Sequence, residues 1–279
     1  RDPLWSRGLG DVYKRQVGFV GAGNMAGAIM NGILRAGIHP AQDMIVFDIS
    51  EEKRSVFQQK GLRTAASVSE VVKDADIVFL AVKPQNFAEV LEEAKKTVTE
   101  QTRFVTIAAG ISIHYITSTL GCDCPVIRAM PNTPLLVGKG ATALCRSEKV
   151  SDEDFAFVRS IFEACGTVEI LQEDQINVAT SVNGSGPAYV YLFAKAAAES
   201  ADRQGIPADA ALRLFSQTLI GSAEMLLHSG HTPDELIKMV SSPGGTTLKA
   251  LDVFYSRGFE AIIDEAMLAC THRAEELGK

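Results

Sequence analysis

Cysteine is scarce in this chain: five among 279 residues (Cys122, Cys124, Cys145, Cys165 and Cys270), an odd number that includes one C-x-C pair. With only five histidines, scattered far apart, neither a disulfide scaffold nor a zinc site is favoured, and no metal is expected. Basic clusters are missing as well. No run of five lysines or arginines occurs, and 34 acidic against 27 basic residues give a net charge of −7. A nucleic-acid partner would need a basic face, so none is expected. Apolar runs such as residues 77–82 stop far short of the ~20 residues that span a bilayer, which excludes a membrane helix. There is no internal repeat and no low-complexity tract. A soluble protein of a reducing, cytoplasmic compartment is the expectation.

What is present is ordinary for a globular chain: 46% hydrophobic and 22% charged residues, ample for sizeable cores. The length suggests about two domains at ~100–200 residues each. Residues 1–16 (RDPLWSRGLGDVYKRQ) stand apart. They carry the one tryptophan, have no helical or strand periodicity, and lack both an initiator Met and the apolar core of a signal peptide. They are expected to be a non-native leader or disordered arm, outside the fold.

Residues 17–172 alternate short apolar runs with helix-like segments. Strands are expected at 17–20, 44–47, 77–82, 104–108 and 126–129, with 141–145 and 168–171 closing the sheet. Helices are expected at 26–34, 51–60, 69–73 and 87–98. Buried strands separated by helices indicate βαβ units, because parallel neighbours need a crossover and are covered on both faces. From residue 173 no strand run follows; 185–203, 207–227, 233–239, 246–255 and 259–277 all read as helices. The fold class expected is therefore α/β, a Rossmann-type, mostly parallel sheet followed by an all-helical C-terminal domain over 173–279.

The first strand runs into Gly21-Ala22-Gly23-Asn24-Met25-Ala26, a G-x-G-x-x-A turn that opens a helix. Gly21 allows the tight turn, Gly23 lets a pyrophosphate approach the backbone, and Ala26 permits close helix–sheet packing. The helix N-terminus then offers N–H groups and a positive dipole end to phosphates. A nicotinamide or flavin dinucleotide is the implied ligand. Asp48 ends the second strand, slightly beyond the usual ~20-residue spacing. Its carboxylate suits ribose hydroxyls and so NAD, whereas Lys53 and Arg54 on the next helix could hold the 2′-phosphate of NADP; the sequence leaves this open. Two more strand exits face the same crevice: Ala81-Val82-Lys83-Pro84, where Lys83 could supply a donor, and Ile107-Ala108-Ala109-Gly110, small enough for a ring to lie against the backbone.

Met239-Val240-Ser241-Ser242-Pro243-Gly244-Gly245-Thr246-Thr247-Leu248 is the most unusual stretch. Its glycines expose backbone N–H groups, Thr246 or Thr247 can cap the following helix, and hydroxyls remain to bond a neighbouring polar atom. This makes a cradle of carboxylate size. Arg128-Ala-Met-Pro131-Asn132-Thr133-Pro134 and Asn183-Gly184-Ser185-Gly186-Pro187 read as a strand exit and a helix start.

Together these motifs (VGFVGAGNMA, FLAVKPQ, AAG, MPNTP, GSGPAY and VSSPGGTT-LKALDVF) resemble the pyrroline-5-carboxylate reductase family over residues 17–277. The resemblance implies an N-terminal Rossmann domain, a C-terminal helical dimerisation domain and reduction of a cyclic imine to L-proline with NADPH or NADH. It places cofactor contacts at Val20, Gly21, Ala22, Gly23, Asn24 and Met25, at Ala81, Val82, Lys83 and Pro84, and at Ile107, Ala108 and Ala109. Substrate contacts fall at Ser242, Gly244, Gly245, Thr246 and Thr247, with Glu173 as a further candidate that could offset charge on the iminium. Asp48 stands where members using NADP usually carry a small or basic residue, and Met239 replaces a polar side chain found in some.

Thr247 is the expected catalytic residue, hydrogen-bonding the ring nitrogen as donor or proton relay. An iminium is already electrophilic, so the demand on the protein is chiefly positioning. A β-hydroxyacid dehydrogenase is the enzyme alternative, but Lys195 lies about two helical turns too far from Gly186 for its catalytic lysine. A dinucleotide-binding regulator would not require the second cradle. The stretch YVYLFAKAAA (189–198) is apolar around most of a helix, which predicts burial on several sides and a homodimer through the C-terminal helices. The reductase reading requires the helix starts at Gly23 and Gly245 to serve one gap, within a subunit or across a pair.

Overall fold

The structure is a computed structural model and describes residues 15–278. Most of the expected leader lies outside the described residues, but Arg15 and Gln16 do not, and both are tied to the domain. Gln16 donates its N–H to Asp76 Oδ2 at 2.8 Å, and its carbonyl accepts from Asp76 and Ile77. Arg15 Nη2 lies 2.6 Å from Glu153 Oε1 and 3.2 Å from Asp154 Oδ1. These contacts fix the two residues against the domain immediately ahead of β1.

The chain forms two compact units: one takes the residues up to Ser185 and those from Cys270 onward, the other Gly186–Ala269. In the first unit, β1 (Val17–Val20), β2 (Met44–Phe47), β3 (Arg63–Thr64), β4 (Ile77–Leu80), β5 (Arg103–Thr106), β6 (Val126–Met130), β7 (Gly140–Arg146) and β8 (Gly166–Ile170) make one sheet in the order 3-2-1-4-5-6-7-8. All neighbours are parallel except β6 and β7. That reversal has a short cause: β6 and β7 are joined only by a 3-10 turn, Thr133–Val137, too little chain for a crossover. The order switches direction between β1 and β4, where open α/β sheets bind ligands.

Helices α1 (Asn24–Ala36), α2 (Glu51–Gln58), α3 (Val68–Asp74), α4 (Phe87–Ala94), α5 (Ile113–Leu120) and α6 (Asp152–Glu163) connect the strands, and the short α7 (Ile176–Ala179) follows the last of them. The strands separate two cores. Phe19 stacks on Phe79 at 4.7 Å in one, while Val20, Val78 and Leu80 enter the other. Continuous apolar runs with no exposed face follow from this double covering.

Among strands and α-helices, four escape the sequence reading: the two-residue strand β3, the one-turn helix α7, and the longer helices α5 and α6. Both longer helices begin at a serine whose side chain accepts a first-turn N–H: Ser112 from Tyr115 and Ser151 from Asp154. Strand β4 ends at Leu80 rather than 82, because β1 ends opposite it at Val20. The change of character expected near residue 172 precedes the division between units. A π-helical turn over Thr180–Gly184 still belongs to the first unit, held by Asn183, which donates to the carbonyls of Met130 and Ala141 at 2.7 and 2.8 Å.

The remaining helices are α8 (Gly186–Arg203), α9 (Ala208–His228), α10 (Pro233–Met239), α11 (Thr246–Ser256) and α12 (Phe259–Leu277). Within the second unit, Phe193 meets Phe215 at 5.3 Å and Phe254 at 6.3 Å, and Phe254 meets Phe259 at 5.2 Å. These ring contacts join α8, α9, α11 and α12. No residue of α10 or α11 is buried.

Candidate functional site

The first cradle is built where β1 becomes α1. Gly21 holds φ at +103°, and an added Cβ would stand 2.6 Å from the Ala81 carbonyl oxygen, so only glycine fits. Its N–H donates to Phe47 O at 2.7 Å, while Ala81 N–H donates to Val20 O at 2.8 Å. The exits of β1, β2 and β4 are thereby laced together. Gly23 is the N-cap of α1, with extended backbone, no side-chain cap and no acidic residue in the first turn. A Cβ on Gly23 would meet nothing within 4 Å. Uncapped N–H groups facing open space fit the pyrophosphate of a dinucleotide.

A crevice of about 580 Å³ opens at this point. It gathers Val20, Gly21, Gly23, Asp48, Ala81, Val82 and Lys83, seven residues anticipated from sequence. Ala22 is buried in the turn behind it, Asn24 and Met25 begin α1, and Pro84 starts the 3-10 turn Pro84–Asn86. Ile107, Ala108 and Ala109 leave β5 beside β4, with Ile107 N–H donating to Leu80 O at 3.3 Å. Also in the crevice wall, and missed in the sequence, are Ile49, Asn86, Glu89 and Glu93. Ile49 could have been found as the residue after the acidic end of β2; the others needed the packing of α4.

Asp48 is 8% exposed. Its Oδ2 accepts the Ala22 N–H at 2.8 Å and its Oδ1 the Ser50 N–H at 2.9 Å. Lys53 Nζ stands 3.8 Å from Oδ2, and Arg54 Nη1 donates to the Asp48 main-chain carbonyl.

Glu173 lies in the first unit on a 3-10 turn, Glu173–Gln175. Its Oε1 accepts the Ile113 N–H at 2.7 Å and is 4.0 Å from Arg128 Nη1. Arg128 is buried; its Nη2 donates to Asn177 Oδ1 at 2.6 Å, and burial lowers its pKa from the ordinary guanidinium value. Close by, burial, with Glu173 adding to it, pushes the Cys145 thiol up to about 12. Cys124 is pushed up to about 12 as well, chiefly by burial, so neither is a thiolate nucleophile near neutral pH.

The second cradle lies wholly in the second unit. Gly245 N–H donates to Ser242 O at 2.9 Å, with Pro243 and Gly244 between them and Gly244 at φ +71°. This is the proline-glycine pattern of a type II turn. Gly245, not a threonine, is the N-cap of α11, and no side chain caps it. The expected capping by Thr246 or Thr247 is thus corrected: both are the first residues of the helix itself, and no side chain caps its leading N–H groups. A Cβ on Gly245 would stand 2.6 Å from Ser242 Oγ, which places that hydroxyl against the turn. Ser241 Oγ is turned away, donating to Ile237 O at 2.7 Å. Met239 is exposed. Among the described residues no cluster of His, Cys, Asp or Glu could hold a metal ion, and no helix is long and apolar enough to cross a membrane.

Two family models match the chain. The one described as pyrroline-5-carboxylate reductase dimerisation covers residues 173–277, and the one described as NADP oxidoreductase, coenzyme F420-dependent, covers residues 16–110. The pyrroline-5-carboxylate reductase of Escherichia coli is 39% identical over 95% of this chain and 99% of its own length. A solved pyrroline-5-carboxylate reductase from Coxiella burnetii is 35% identical with a TM-score of 0.87, covering 95% of this chain and 99% of that one. The pyrroline carboxylate reductase of Plasmodium falciparum, solved with NADP bound, is 28% identical with a TM-score of 0.88, covering 96% and 100%.

Proposed function

The chain belongs to the pyrroline-5-carboxylate reductase family and is an NAD(P)H-dependent oxidoreductase; from that premise we propose how its residues carry the reaction. The reduced nicotinamide, when bound, supplies a hydride to C5 of the cyclic imine, giving L-proline. The N–H groups at Gly23, Asn24 and Met25 hold the pyrophosphate. Asp48 receives the adenosine ribose, Lys83 donates at the crevice mouth, and Ala81 to Pro84 with Ile107 to Ala109 form the wall along which the dinucleotide extends.

The observation that carries the substrate side is the uncapped start of α11 behind the Ser242–Gly245 turn. Its N–H groups, with the hydroxyls of Ser242 and Thr246, suit the carboxylate of the imino acid. Thr247, one residue further into the first turn, donates to or relays a proton at the ring nitrogen. Glu173 offsets charge on the iminium from an orientation set by Ile113 N–H and Arg128. Because the iminium is electrophilic on its own, most of the rate enhancement comes from holding two small rings in register.

Replacing Thr247 with Ala tests this directly. A fall in kcat/KM of about tenfold or more with pyrroline-5-carboxylate, at unchanged fold and unchanged NADPH or NADH binding, is expected. Wild-type kinetics in the Thr247→Ala protein would remove the residue from the mechanism. A β-hydroxyacid dehydrogenase chemistry finds no support, since Lys195 sits on the surface of α8 paired with Glu199 at 3.8 Å.

A homodimer through the C-terminal helices belongs to the same reading, supported by the dimerisation family match and by the exposed apolar side chains of α8 and α9. A cytoplasmic location fits the five unpaired cysteines.

A further inference from the structure

We propose that Asp48 makes this reductase discriminate against the 2′-phosphate and prefer NADH to NADPH. The inference rests on the dinucleotide reading of the crevice between β1 and β4, and goes beyond it by assigning the choice of cofactor to one side chain.

Both oxygens of the Asp48 carboxylate are fixed by backbone donors, Ala22 N–H on one and Ser50 N–H on the other. Each oxygen keeps a further lone pair, so the group can still accept from a ribose hydroxyl. A 2′-phosphate near neutral pH carries almost two negative charges and has nothing to donate. Beside Asp48 it would face a buried carboxylate whose position cannot relax. The two N–H groups that might have bound it are already occupied by Asp48 itself.

The nearby cations do not reverse this. Lys53 Nζ is 3.8 Å from Asp48 Oδ2, so its charge is partly offset where it stands. Arg54 is drawn to the Asp48 main-chain carbonyl. Ile49, the next residue along the rim, is 90% exposed and apolar. Among the charged residues lining the crevice, Asp48, Glu89 and Glu93 outnumber Lys53 and Lys83. Like charges repel several times more strongly in a partly buried site than in open water. Discrimination of about 10- to 100-fold is therefore expected.

The test separates cofactor choice from catalysis by using fragments of the cofactor. Dissociation constants of 5′-ADP and 2′,5′-ADP are measured by calorimetry on the full chain without imine, and NADH and NADPH are titrated by fluorescence. Tighter binding of 5′-ADP than 2′,5′-ADP by about tenfold or more is expected, with NADH and NADPH in the same order. Asp48→Asn, which keeps an acceptor oxygen for the turn, and Asp48→Ser are both expected to narrow or invert the ratio. Should one variant misfold, the other and the wild-type ratio still decide. Equal or tighter binding of 2′,5′-ADP to the wild type overturns the proposal while leaving the crevice assignment standing. Binding of none of the four nucleotides overturns the crevice assignment, and the proposal with it.

Discussion

Asp154 is nearly closed to solvent, and burial alone would raise its pKa. Hydrogen bonds from Arg103 Nε and Ser151 Oγ, both at 2.8 Å, and the charge of Arg15 outweigh that and hold the carboxyl below its ordinary value. The interaction therefore contributes fully above the ordinary carboxylate pKa and is lost as pH falls through the lowered one. Asp154→Asn is expected to lower unfolding stability at pH 7 on the order of 2 kcal/mol. The gap from wild type should persist through the ordinary carboxylate range and close only at more acid pH, as the native carboxylate also takes up its proton. A gap independent of pH would mean that charge is not the cause. Single residues divide sharply in legibility. Gly21 and Asp48 were visible because their chemistry is local: a tight turn and an acidic strand end. Arg128, Asn132 and Asn183 were visible only as members of turns. Their partners lie far along the chain, such as Asn132 Nδ2 donating to Asn183 O at 3.1 Å, and no local pattern encodes that pairing.

At the scale of elements, this asparagine pair braces the reversal from β6 to β7 that the short connection imposes. Asn132 Oδ1 accepts the Ala141 N–H at 2.9 Å, and Asn183 Nδ2 reaches the carbonyls of Met130 and Ala141 from the π-helical turn. Asn183→Ala would leave those carbonyls short of a donor, and a loss on the order of 2 kcal/mol in chemical denaturation is expected. Asn183→Asp, which replaces the donor with an acceptor, should cost more; equal stability of all three proteins would show that water replaces the amide. Strands β1 and β2 and helices α10 and α12 lie where apolar periodicity and end signals put them. Helix α6 carried its signal in the open, a serine followed by Asp152, Glu153 and Asp154, the acidic start that a helix dipole favours. Strand β3 had none, because two residues hydrogen-bonded only to β2 at the sheet edge leave no period to read. The length of β4 was set by its neighbour and not by its own apolar run.

For the whole molecule, the apolar residues left exposed in the second unit are the main unsatisfied quantity. Leu192 and Leu214 are each 66% exposed, and Val190, Tyr191, Leu212 and Ile220 lie on the same two helices. Surfaces of this kind are interfaces in stable oligomers. Sedimentation at micromolar concentration is expected to give at least a dimer. Leu192→Asp or Leu214→Asp should shift it toward monomer and make the melting temperature depend more steeply on protein concentration. A wild-type monomer would contradict the homodimer. The sequence by itself determined the class of fold, the glycine turn and the family, because each is written in residues adjacent along the chain. Only the tertiary structure decided that Asp48 is locked by two amides, that Gly245 and no threonine starts α11, and that Glu173 is bonded to α5 and placed near β6. Those facts depend on which distant segments supply a hydrogen-bond partner, and a partner is fixed by packing, not by spacing.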